Sequence, residues 1–145
     1  MPIVHNTAAS ILKNQIINGH YLALSTTEPT NYPDQGSYNI TEPSTSTTTY
    51  RRVALGNASG YSESYDDVTK ETTVTNNNAL YFPECVVGGS TTAWGTLPYF
   101  AIFETSSSTV PLYVGALEAS ITPTDATIPT VRIGALKLSL LPDNE

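Results

Sequence analysis

The chain is short of charge, of sulfur and of long apolar runs. Only 13% of its 145 residues are charged, and six Lys and Arg stand against thirteen Asp and Glu, a net charge of -7. An average soluble domain is roughly a quarter charged. Phosphate recognition needs a basic field, so nucleic acid is not an expected partner, and Arg51-Arg52 is the sole basic doublet. Cys85 is the single cysteine, which excludes an internal disulfide and a thiolate metal cluster and leaves a small buried hydrophobe as its reading. No stretch resembles a basic region followed by an apolar signal core, and no run is long enough to span a bilayer. A soluble chain that does not use that export route, with no membrane partner, is expected.

Hydroxyl groups take the place of charge. Thr and Ser make up about a quarter of the residues, an excess over average usage. The branched Cβ of Thr suits a pleated sheet, and a neutral polar surface lets many copies pack without repulsion. At this length the chain can close a hydrophobic core without staples, so one β-domain over residues 1–145 is the expectation.

Residues 6–18 (NTAASILKNQIIN) read as the one helix, with Asn6 or Thr7 as cap, Ala8, Ile11, Leu12 and Ile16 as its apolar stripe, and Asn18-Gly19 as its stop. It should pack on the sheet joined by the next strand, HYLALST (20–26). Residues 28–49, with three prolines and few apolar residues, read as a long surface loop, and loops of that length usually contact something. Strands are expected at 50–56 and 99–104, the latter a continuous apolar run suited to burial on both faces. Residues 70–84 read as a hairpin turning at Asn76–Asn78, and 111–120 and 130–141 as two further strands. Seven or eight short strands behind one N-terminal α-helix predict a mainly β protein, an antiparallel β-sandwich or jelly-roll-like barrel.

Two segments nearly repeat each other: VGALEAS (114–120) and IGALKLS (133–139). Side-chain phase slips at Gly134-Ala135, and the same reading fits Gly115-Ala116, which marks β-bulges. An antiparallel pairing with Glu118 opposite Lys137, Ala116 facing Ser139 and Ser120 facing Ala135 would explain the similarity. Seven residues are too few for a repeat unit.

No catalytic, cofactor or metal signature emerges. His5 and His20 flank the helix without ligand spacing, and His20 reads as a helix-end residue. Asp66-Asp67, with Glu63 nearby, lack the alternating oxygen ligands of a calcium loop and read as a solvated acidic turn. The candidate interaction residues are Tyr32, Tyr38, Tyr61 and Tyr65, aromatic groups in polar surroundings suited to stacking on sugars or anchoring a protein interface.

The order YLALSTTEPT (21–30), YRRVAL (50–55), LYFPE (80–84), WGTLPYFAIFE (94–104), LYVGALEAS (112–120) and VRIGALKLSL (131–140) resembles a group of small tailed-bacteriophage virion proteins, many of them labelled tail-fibre or minor tail proteins. The resemblance runs from about residue 7 to 141; residues 43–49 depart from it, being Thr-filled where relatives are Gly-rich. It implies a non-enzymatic structural protein, made in the bacterial host cytoplasm and located in the virion beside major capsid or tail proteins. A shaft needs length and repetition, which this chain lacks. The expectation therefore leans to a trimeric capsid decoration or cement subunit, with a tail component (tail fibre, tail tip or adaptor) and a host-glycan-binding β-sandwich as alternatives.

Overall fold

The two buried large side chains of the helix, Leu12 and Ile17, are five positions apart, and that spacing belongs to turns wider than an α-helix. In the computed structural model, which describes residues 4–29, 31–32 and 37–140, α1 (His5–Ser10) runs on as π-helical turns over Ile11–Ile17. Asn18 N–H donates to Lys13 C=O at 3.0 Å. The wider turn leaves Ile11 and Ile16 half-buried, so the expected stripe is displaced. Val4, not Asn6 or Thr7, precedes the first turn, and it supplies no side-chain cap. The stop is as expected: Gly19 takes φ +76°.

The strands are β1 (Tyr21–Ser25), β2 (Asn31–Tyr32), β3 (Ser37–Tyr38), β4 (Val53–Ala54), β5 (Tyr61–Tyr65), β6 (Thr72–Asn76), β7 (Leu80–Tyr81), β8 (Leu97–Phe103), β9 (Tyr113–Ile121), β10 (Thr130–Val131) and β11 (Lys137–Leu140). All their pairings are antiparallel. One sheet has the order β4-β1-β8-β9 and a second β11-β6-β5, with two-stranded pieces β10-β7 and β2-β3. Leu22, Leu24, Phe100 and Ile102 of the first sheet share one core with Val74 and Leu138 of the second, closed by Leu12 and Ile17. The mainly β, layered antiparallel class with one N-terminal helix is what the residue pattern predicts.

β8 is buried on both faces, as its apolar run requires. Phe100 and Ile102 point into the shared core, whereas Ala101 and Phe103 pack with Ala23, Ile40 and Val114 on the opposite side. Segment 28–49 therefore does more than cross the surface: it brings Ile40 onto that second face and buries Thr48.

Several expected pairings are replaced. The helix shares the core with Leu22 and Leu24 of β1, as expected, and its polar contacts reach the second sheet: His5 Nδ1 lies 3.0 Å from Thr72 Oγ1, and Lys13 Nζ lies 2.9 Å from Glu63 Oε2. The strand expected at 50–56 shrinks to β4, because Tyr50 turns into the core and Arg52 is taken up by side-chain contacts. Residues 70–84 form no hairpin: β6 lies between β5 and β11, and β7 pairs with β10. β5 carries no apolar alternation because it is an edge strand with only Tyr61 buried.

The two GAL segments sit in different sheets, so Glu118 and Lys137 are not a ladder pair. β11 pairs with β6 and β9 pairs with β8, each on one side. Asn76 locks that arrangement: its Nδ2 donates to Arg132 C=O at 3.0 Å and its Oδ1 accepts from Leu136 N–H at 3.0 Å. The two segments meet through a side chain instead, Tyr113 Oη accepting from Ser139 N–H at 2.9 Å. Gly134 lies in a turn at φ +80°, not in a bulged strand. Ile133 is exposed there while Val131 is buried. Gly115 and Ala116 are in regular register with Phe100 and Tyr99, so the expected bulge lies not at them but just beyond, where the register resumes at Leu97↔Ile121 and sets Leu117–Ser120 against Pro98 alone.

A Cβ on Gly115 would sit 2.9 Å from Cε1 and Cζ of Phe100. That ring is wholly buried and stacked on Tyr113, so it has little room to yield. Gly115→Ala should lower unfolding free energy by about 1–3 kcal/mol through overpacking. Gly134→Ala meets no neighbour and should cost about 1–2 kcal/mol through left-handed strain alone. Urea unfolding curves of the two variants give both values, and combined with the Phe100→Leu change only the first should be relieved.

Candidate functional site

The four candidate tyrosines do not converge. Tyr61 opens β5 facing inward, is 4% exposed, and donates its hydroxyl to Leu55 C=O at 2.7 Å. Burial pushes its phenol up to about 12. It is a core residue, and its polar sequence neighbours concealed that, because they occupy the exposed positions of an edge strand. Tyr65, at the other end of β5, is 43% exposed with its ring centroid 5.2 Å from that of His5. Tyr32 and Tyr38 lie in the β2–β3 ladder, and their side chains fall outside the described residues.

Tyr65 borders an open cleft of about 600 Å³ on the outer face of β5, β6 and β11. Ser64, Thr73 and Thr75 line it with hydroxyls, Lys137 supplies an ammonium, and Glu71 and Glu118 supply carboxylates. Such a surface offers hydrogen bonds and one aromatic ring to a polar ligand. Asp66 belongs to its edge but works as a turn closer. Its Oδ1 accepts from Val68 N–H at 2.8 Å and Thr69 N–H at 3.2 Å, and these bonds hold its carboxyl below the usual range. Glu63 turns away to Lys13, whose ammonium lowers its pKa too. Among the described residues no three His, Cys, Asp or Glu side chains come together as a metal site.

His20 acts at the helix end, its Nδ1–H donating to Ile16 C=O at 2.7 Å. Cys85 is fully buried, and burial pushes its thiol up.

The densest polar cluster corresponds to no sequence motif. Glu42 receives Arg52 in a two-pronged contact, Nε to Oε1 at 3.1 Å and Nη2 to Oε2 at 2.8 Å. Tyr50 Oη donates to Glu42 Oε1 at 2.6 Å and accepts from Leu24 N–H at 3.0 Å. Arg52 Nη1 donates to Thr105 C=O at 3.2 Å and Ser108 C=O at 2.8 Å, with its guanidinium carbon 3.7 Å above the Phe103 ring. Nearby, Ser25 Oγ accepts from Thr41 N–H at 3.0 Å and donates to Thr27 C=O at 2.8 Å. These bonds fasten the base of segment 28–49 to β1 and to the turn after β8. The available signal was a carboxylate isolated in an uncharged, Thr-rich stretch shortly before the only basic doublet.

Glu42→Ala leaves a guanidinium and a phenol without their acceptor in a partly dry setting. It should cost about 2–4 kcal/mol of stability, and Glu42→Gln less, as read by chemical denaturation. Tyr61 sets an alkaline limit. Its folded pKa lies above the unfolded value of about 10, so its contribution is complete below pH ~10 and is lost as pH rises through ~12. Unfolding free energies measured between pH 8 and 11.5 should fall across that window, and Tyr61→Phe should flatten the fall.

Comparison with known proteins bears on these surfaces. No curated protein matches the chain. A family model described as podophage GP4 fiber I protein gp80 matches residues 11–139, a span that takes in every strand from β1 to β10, most of β11, the Glu42–Arg52 cluster and both GAL segments. With nearly the whole described fold inside that match, the chain belongs to the podophage GP4 fiber I protein gp80 family and is a phage virion structural protein of the fibre kind.

Proposed function

We propose that this protein is a non-enzymatic accessory subunit of the fibre or tail apparatus, a small β unit held against other virion proteins and assembled as a homotrimer. The observation that carries this reading is the family match over residues 11–139, whose description is that of a fibre protein. The chain has no repeats from which to build a shaft, so it suits a joint, collar or tip. Its most elaborate polar cluster supports a structural role as well: Glu42, Tyr50 and Arg52 spend their hydrogen-bonding groups on holding the fold. Capsid decoration, the reading preferred from the sequence, is thereby second to a tail position.

A host-glycan role is the alternative favoured by one specific feature, the hydroxyl-lined cleft beside Tyr65. Electron cryomicroscopy of purified particles, with the density fitted by this fold, separates these readings. A trimer at the tail, in copy numbers set by tail symmetry, is the expected result. Copies repeating over the icosahedral shell would replace it with decoration. Saturable binding on a glycan array, lost in Tyr65→Ala, would establish the glycan module.

A further inference from the structure

Two strand edges are left open around a groove. β9 pairs with β8 on one side only, and its Leu117–Ser120 stretch bulges out of register against Pro98. β10 pairs with β7 on one side only. Between them lies a groove of about 310 Å³, bordered by Leu117, Ala119, Ser120 and Ile121 of β9 and by Thr130 to Arg132. Leu117, Ile121 and Val131 give it an apolar wall, and they continue into the main core. Exposed Arg132 stands at its rim, and its guanidinium makes no hydrogen bond or ion pair among the described residues. Unpaired strand edges present rows of backbone donors and acceptors and invite pairing with another chain.

We infer that this groove receives an extended segment of a different virion protein by strand addition, with alternate apolar side chains seated on Leu117 and Ile121 and a carboxylate against Arg132. Backbone pairing supplies affinity in this mode, and pockets for alternate side chains supply selectivity. Charge selects the kind of partner: in a chain of net charge -7, a cation unpaired among the described residues beside an apolar groove favours an acidic segment. The inference rests on the reading of the chain as an attached virion subunit and names the surface by which it is attached.

The test uses phage particles grown with their own copy of the gene disrupted and the full chain supplied in trans. Arg132→Glu and Ala119→Arg should each lower copies per particle at least about tenfold, the effect of losing ~1.4 kcal/mol or more of binding, while circular dichroism and Tm match the parent chain. A photo-crosslinking residue at Ser120 should trap, by mass spectrometry, an alternating apolar and acidic segment of another virion protein. Normal incorporation of both variants, or crosslinks confined to a second copy of this chain or to a basic surface, would overturn the inference. If a variant fails to fold, the Ser120 crosslink in the otherwise unaltered chain decides. Absence of the unaltered chain from particles sinks the attached-subunit reading itself, whereas its presence beside normally incorporated variants sinks only the groove.

Discussion

The ion pair between Arg52 and Glu42 governs how the long proline-bearing segment is used. Without it, residues 28–49 would be a tether of polar residues over an apolar sheet face. With it, the segment's base is fixed to Tyr50, to the backbone of Leu24 and to the turn at Thr105–Ser108, and Ile40 lies against Ala23, Ala101 and Phe103. Arg52 serves twice, because the stem and guanidinium that reach Glu42 also cover the Phe103 ring. Both charges are partly withdrawn from water, which is unfavourable for either alone and tolerable only because each is met by several partners. The burial of Phe103, worth about 2 kcal/mol, thus depends on an electrostatic contact.

On the opposite face the equivalent part is played by Asn76. A single buried amide ties the end of β6 to the turn that leads into β11 and so supports the β6–β11 pairing. β9 is the outer strand of the other sheet, and the Tyr113 hydroxyl links it to the backbone of β11. An edge strand nine residues long is a hazard for a soluble monomer. In a subunit of an assembled virion it is a place to attach. A surface rich in Thr and Ser and poor in charge is consistent with the same use, since such a surface packs against neighbours with little desolvation of ions.

Legibility varied with the locality of the signal. β1 and β8 were readable because Leu22, Leu24, Phe100 and Ile102 write their burial directly into composition. β5 was not, because an exposed edge strand has no apolar phase to read. Tyr61 and Tyr65 show the limit for sites. These tyrosines lie four residues apart on the same face of β5, yet the core covers Tyr61, while Tyr65 at the strand's far end meets the helix start at His5 and stays 43% exposed. The Glu42 cluster left no local pattern because its members contact residues up to 56 positions away.

By itself the sequence determined the class of the protein. Its hydroxyl-rich, charge-poor composition and short apolar runs require β layers, and the ordered motifs from YLAL to the second GAL carry its virion kinship. Strand pairing was decided only in the tertiary structure, because antiparallel partners are selected by which edge remains free once others have paired. VGALEAS and IGALKLS make the point: similar residues, read locally, suggest one ladder, yet β9 pairs with β8 and β11 with β6, in separate sheets.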